Sequence, residues 1–292
     1  MSALPMYRRR AVPMRRPRAP AFWLLLPLIA FVAVFFIYPL AAMLVRAVHD
    51  KTGFTPVYML RVLQGPAYLM VLRTTFVIAA LVTVLTLVIG YPLAYFLSQR
   101  KPRTATLLMI LVIIPYFTSV LVRTYAWMVL LGSHGIINDL LMHLHWIDEP
   151  VKLLYNRTGV LIGMTYMLLP YMVLALYSVM RSVDTRLLLA AESLGAGCTR
   201  AFWRIFFPLS MPGVASGGLL VFILSLGYFI TPALMGSQQD SLISMVVEAQ
   251  VETYFDWNFA SALAAVLLAS TLVLFALYER LIGLNRLFEA KL

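Results

Sequence analysis

Six stretches of this chain stay apolar for about 20 residues or more, the length an α-helix needs to cross the hydrocarbon core of a bilayer. They run approximately from Ala21 to Val45, Tyr68 to Leu97, Thr104 to Leu131, Gly159 to Met180, Pro212 to Met235 and Phe259 to Ile282. The fold class they imply is an all-α integral membrane protein with six transmembrane helices. Composition agrees: 62% of the residues are hydrophobic and only 12% charged, against about 25% charged in soluble domains. The first stretch follows an Arg-rich head, as a signal peptide would. Its apolar run is longer than a removable one, and it reads as a retained helix.

Orientation follows from Lys and Arg, which stay on the cytoplasmic side. With the N-terminus inside, sixteen of the 23 basic residues fall on inner segments, and five (Arg46, Lys51, Arg61, Lys152 and Arg157) on outer loops. Both termini are therefore expected in the cytoplasm. Residues 1–20 carry six arginines with no aromatic platform beyond Tyr7, and read as a disordered basic tail at anionic lipid headgroups rather than a nucleic-acid site. Residues 21–292 form a single membrane domain. The net charge of +11 thus reports topology.

Acidic residues show the reverse distribution. The last outer loop holds Asp240, Glu248, Glu252 and Asp256 without Lys or Arg, so Glu248 and Glu252 mark an outer face attractive to a cation or a basic docking surface. Carboxylates merely tolerated outside account for it equally well. Two arginines, Arg73 and Arg123, lie inside spans, where a charge costs a few kcal/mol unless it snorkels or pairs. Counting 1.5 Å per residue places Arg123 ~30 Å from the start of its helix, at the outer interface. Pairing with an outer carboxylate is its first reading, and contact with a solute or a partner protein its second.

Between the fourth and fifth stretches, residues 181–211 are too polar for lipid. Asp184 is placed to cap a helix, Thr185 to Leu194 are mostly good helix formers, and Gly195 falls where a left-handed residue ends one. A second helical piece from Arg200 to Phe207 is expected to end before Pro208. Leu187, Ala191 and Leu194 share one face, while Phe202, Trp203 and Phe206 make a bulky apolar surface. By chemistry alone these faces either fill a groove on a partner or pack under the chain's own helices.

The same loop carries a resemblance. Ala190-Ala191, three residues, Gly195, nine residues, Ile205, one residue, Phe207-Pro208 resembles the Glu-Ala-Ala loop of membrane permeases from binding-protein-dependent ATP-binding-cassette importers. Leu189 replaces the family's Glu, and Phe207 the Leu before the proline. Leu121 to Trp127 in the third stretch, with Ser225 to Phe229 and Thr231 to Leu234 in the fifth, look like the spermidine/putrescine branch. Some members of that branch carry an acidic residue after the Gly of the fifth-stretch segment, where this chain has Tyr228. The resemblance implies a cytoplasmic coupling loop in which Leu189, Ala190, Ala191, Glu192, Gly195, Ile205 and Pro208 meet the ATPase. It implies four partners besides lipid: a second homologous permease, two copies of the ATPase and a periplasmic substrate-binding protein. The location is the bacterial inner membrane, and the solute is small and polar or cationic: a polyamine, an opine or an amino-acid derivative.

The chain has no phosphate-binding loop, and none of its four lysines follows a glycine, so ATP and Mg are expected on the partner. No cofactor, metal or catalytic residue is expected in this chain, which reads as a transport subunit rather than an enzyme. His143 and His145 are a weak metal signal, and Asn156-Arg157-Thr158 a glycosylation pattern too short to carry weight. Mid-span polar groups are hydroxyls rather than the carboxylates of ion-coupled carriers, which disfavours the alternative of an ATP-independent channel or secondary transporter. Tyr116, Tyr166, Tyr171 and Tyr228, each with an apolar face and a polar tip, are the candidates for lining a path.

Overall fold

The computed structural model describes residues 20–50 and 53–282. The basic tail expected over residues 1–20 lies outside them except for Pro20, as do residues 283–292. Among the described residues six helices are long and apolar enough to cross a membrane. Helix α1 (Pro20–Val32) runs through a π-helical turn at Ala33–Ile37 into α2 (Tyr38–Arg46) to make the first. After a short antiparallel pairing of His49–Asp50 with Gly53–Phe54 come α3 (Val57–Gln64) and the 33-residue α4 (Pro66–Ser98). Then follow α5 (Pro102–Ile113), α6 (Val120–Leu131), α7 (Ile136–His143) and α8 (Arg157–Met180). Helices α9 (Thr185–Ser193) and α10 (Cys198–Ala201) lead into α11 (Phe207–Leu226), and α12 (Ile230–Met235), α13 (Ile243–Glu252) and α14 (Trp257–Ile282) complete the chain.

Prolines decide where the expected spans hold and where they fail. A proline lacks the N–H that closes a helical turn, and its ring meets the carbonyl four residues back. At Pro39 and Pro208 the chain absorbs this with a wide π turn just before the proline, at Ala33–Ile37 and Phe202–Phe206. The second loop piece therefore does not end before Pro208. It continues without a break into the fifth span, Cys198–Leu226.

The third stretch, expected as one helix from Thr104 to Leu131, is instead interrupted. A 3-10 turn at Ile114–Phe117 holds Pro115, the chain is extended at Thr118 and Ser119, and α6 starts afresh at Val120. By length and hydropathy the third span runs Val120–His143, and Pro102–Phe117 is a shorter apolar helix. The fifth stretch, expected to reach Met235, stops at Leu226. Pro232 would face the carbonyl of Tyr228 in a continuous helix, and that carbonyl accepts the Ser244 hydroxyl at 2.7 Å instead. What was read as the last outer loop holds a helix, α13, packed along α14 and tied to α4 by the Ile243 N–H donating to Thr75 Oγ1 at 2.9 Å.

The core lies between α4, α8 and α11. Helix α8 is the most enclosed span, with 61% of its apolar window buried, while none of the first span's is. Gly213 and Gly217 let α11 close on α8: a Cβ added at either would sit 3.0 Å from Val179 Cβ or Met172 Sδ. This is the small-residue spacing by which membrane helices gain van der Waals contact where hydrophobicity no longer drives association. The start of α8 is pinned twice. Asn156 caps it by accepting from the Gly159 N–H at 2.9 Å. Arg157 Nε donates to Asp240 Oδ1 at 2.9 Å, and Ser237 Oγ donates to Asp240 Oδ2 at 2.6 Å.

Asp240 is only 5% exposed, so its carboxylate depends on Arg157 for its charge partner. Replacing Arg157 with Met is expected to cost about 2 kcal/mol, the usual worth of a hydrogen bond to a charged group. The measurement is thermal unfolding of the purified protein in detergent micelles, where the variant melts several degrees lower and Arg157→Lys recovers part of the loss.

Candidate functional site

Two regions gather the chemistry. The first is a cavity of about 380 Å³ lined by Tyr116, Val120, Arg123, Met167, Leu168, Tyr171, Leu224 and Tyr228. Its walls come from both interrupted spans: Tyr116 belongs to the 3-10 turn before α6, and Tyr228 to the gap between α11 and α12. Tyr171 projects from the continuous helix α8 and donates its hydroxyl to Tyr116 Oη at 2.8 Å, with the rings edge to face at 5.5 Å. Three of the four path tyrosines expected from the sequence are thus brought together. The fourth, Tyr166, is not part of this cavity; its ring packs against Trp127 at 5.2 Å.

Arg123 is the departure from expectation. Its guanidinium has no carboxylate partner, since the ion pair among the described residues is Arg157 with Asp240. It lies 5.8 Å from the Tyr116 ring centroid, and its Nε is buried without a hydrogen-bond partner. The depth count that put it at the outer interface assumed an unbroken helix from Thr104. Behind the cavity, the buried Thr124 and Thr231 hydroxyls meet at 3.3 Å and tie α6 to α12, a pairing hidden in the sequence by the 107 positions between them. Glu248 and Glu252 lie on α13, half-buried and exposed respectively, and neither forms an ion pair among the described residues.

The second region is the turn between α8 and α11. Arg181, just past α8, donates through Nη1 to the carbonyls of Ser98 at 2.8 Å and Arg100 at 2.9 Å, capping the end of α4. Asp184 caps α9 by accepting from the Arg186 N–H at 2.9 Å. The helix closes with the Gly195 N–H on the Glu192 carbonyl and the Ala196 N–H on the Ala191 carbonyl, at 2.9 and 3.0 Å, with Gly195 at φ +84°. Both terminal residues are as the sequence indicated.

The aromatic face divides between the two readings left open above. Phe206 is buried, and Phe202 and Phe206 pack edge to face on Tyr95 of α4 at 5.3 and 4.9 Å. Those two serve the chain's own core. Trp203, Leu187, Leu189 and Leu194 are exposed, Leu194 at 89%. Ala190, Glu192, Gly195 and Pro208 are exposed as well, while Ala191 and Ile205 are half-buried. Cys198 Sγ approaches Glu192 Oε1 at 3.8 Å.

Residues 86–284 match the model of a protein family described as binding-protein-dependent transport system inner membrane component. The chain belongs to this family. It is a multi-pass inner-membrane permease. The permease is 36% identical over 230 residues to the spermidine/putrescine transport system permease protein PotB of Haemophilus influenzae, covering 78% of this chain and 80% of the relative. It is 38% identical over 205 residues to Escherichia coli PotB, covering 70% and 74%. Its fold is that of a chain in the bacterial alginate ABC transporter crystallised with an alginate-bound periplasmic protein, with a TM-score of 0.73 at 16% identity, covering 89% and 93%.

If the tyrosine cavity serves transport, Tyr228→Ala lowers the initial rate of solute uptake about tenfold, a loss near 1.4 kcal/mol. Tyr166→Phe leaves that rate within about a factor of two, because the hydroxyl it removes lies outside the cavity. Uptake into cells carrying each variant as the sole copy, normalised to the amount in the membrane, separates the two.

Proposed function

We propose that this permease forms half of the translocation path of an ATP-driven importer for a small polar or cationic solute: a polyamine, an opine or an amino-acid derivative. Its partners are a second homologous permease, two copies of an ATP-binding-cassette ATPase that hold the ATP and Mg, and a periplasmic binding protein that delivers the solute. The names of the relatives support the solute class, and the alginate transporter, crystallised with its periplasmic protein, supports the delivery step. The excess of Lys and Arg on the side of residues 181–211 supports a cytoplasmic position for that loop and both termini.

One observation carries the coupling role. Helix α9 is closed by side-chain and backbone caps at both ends, yet leaves Leu187 and Leu194 exposed on one face and Leu189 on the opposite one, with Trp203 exposed beyond the turn. An apolar face on a short polar loop at the end of a membrane bundle suits a groove on a soluble partner. Residues behind it are fixed to the spans by the Arg181 clamp and by Phe202 and Phe206 on α4. When ATP closes the ATPase dimer, α9 moves with it and drags α4, α8 and α11 as a body, opening the path alternately to each side.

The hinge of α9 is Gly195. Nothing lies within 4 Å of a Cβ built there, so packing is no obstacle to substitution. The obstacle is its φ of +84°, which costs a β-branched residue about 1–2 kcal/mol. Gly195→Val is expected to abolish ATP-dependent uptake while the variant still inserts in the membrane at normal levels. Copurification with the ATPase is the direct readout: retention of both the complex and full uptake overturns the coupling role.

A further inference from the structure

Hydroxyls within the spans mostly bond back to their own helix, as Thr83 does on the Ala79 carbonyl and Ser225 on that of Val221. Ser244 does not. From the first turn of α13 its hydroxyl donates to the Tyr228 carbonyl, sixteen residues back, at 2.7 Å. The Tyr228 backbone has little else to fix it. It lies in the gap between α11 and α12, Pro232 lacks the N–H that would close a helical turn on its carbonyl, and nothing lies within 4 Å of a Cβ built at the neighbouring Gly227. The Tyr228 N–H makes a longer bond, to the Ser225 carbonyl at 3.2 Å. The support behind Ser244 is firm by contrast: Leu242 and Ile243 are buried, and the Ile243 N–H is held by Thr75 Oγ1 of α4 at 2.9 Å.

We infer that Ser244 is a positioning residue for transport: its hydroxyl sets Tyr228 in the cavity wall, and so sets how well the solute is held, without touching the solute itself. This rests on the permease reading above and on Tyr228 as part of the path. Ser244 is not among the residues that line the cavity, so it acts on a solute there through Tyr228. A carbonyl with no water to receive it seeks another donor when the hydroxyl is removed, and the segment that carries it shifts. A site keeps its ligand only while the groups behind its walls hold them to within about 0.5 Å. Threonine at this position keeps the hydroxyl, and alanine removes it with little change of volume.

The test uses the complete transporter, with partner permease, ATPase and binding protein, in proteoliposomes supplied with ATP. The probes are spermidine and putrescine, each given on saturating loaded binding protein so that the rate reports the permease. Ser244→Ala is expected to lower uptake about fivefold, the worth of one neutral hydrogen bond, while ATP hydrolysis stimulated by the loaded binding protein stays within about a factor of two. Less solute then moves per ATP. Ser244→Thr keeps uptake within about a factor of two of the wild type, and Ser244→Cys, a weaker donor, falls between. In a Tyr228→Ala background Ser244→Ala removes no more than about another factor of two, because the ring it positions is gone. Full uptake by Ser244→Ala, an equal fall in stimulated ATP hydrolysis, failure of Ser244→Thr to match the wild type, or the same fivefold loss repeated beside Tyr228→Ala overturns the inference; the last is the mark of a hydroxyl that serves the fold alone. If the wild-type complex takes up neither probe and shows no stimulated ATP hydrolysis, the permease reading itself fails and the inference falls with it.

Discussion

Peptide groups in hydrocarbon have no water to bond, so a membrane span can break only where protein or a wet cavity receives the groups it frees. In this permease the backbone turns irregular at Ile114–Ser119, just before the third span, and at Gly227–Phe229, just after the fifth, and residues of both segments line the tyrosine cavity. The freed groups have recipients. Ser244 supplies a donor to the Tyr228 carbonyl, Thr118 bonds back to Pro115, and Thr124 with Thr231 joins the helices that restart. Placing the irregular backbone around one cavity gathers the freed groups and the tyrosine hydroxyls into one polar site.

Helix α8 makes that arrangement possible by running unbroken from Arg157 to Met180. It carries Pro170 within its length, yet its close contacts with α4 and α11 keep it whole. Tyr171 follows that proline and reaches the cavity, while Arg181 at the far end holds the last carbonyls of α4. One helix therefore joins the cavity to the loop. In the proposed cycle, displacement at α9 reaches Tyr171 through packed side chains and the two Arg181 hydrogen bonds, a physical connection between two bodies that move together.

How much of this could be read in the sequence depends on how local the deciding interaction is. The six apolar runs, the Asp184 cap and the Gly195 turn were legible because each is set by hydropathy or chemistry within a few positions. The breaks were not. Pro27, Pro92 and Pro170 stay inside helices while Pro115 and Pro232 coincide with interruptions, and what distinguishes Pro232 is Ser244, twelve positions on, which takes the carbonyl it leaves free. The fate of Phe202 and Phe206 turned on Tyr95, more than a hundred residues upstream. The third span failed for the same reason, and with it the count that set the depth of Arg123: a rise per residue measures depth only along an unbroken helix.

Leu189 shows what the loop does without the acidic residue that related loops offer. The side chain is 61% exposed, and an isolated apolar group gains nothing from water. Glu192, the nearest acidic side chain in the helix, sits at its C-terminal end and approaches the Cys198 thiol. A carboxylate there opposes the helix dipole and is poorly placed to substitute for one near the middle of the helix. In the proposed coupling role the contact rests on apolar area and shape, which salt screens little, rather than on an ion pair. A rigid apolar face serves the proposed role well: the loop has to follow its partner through a rotation, and a non-directional contact tolerates small changes of angle that would break a single salt bridge.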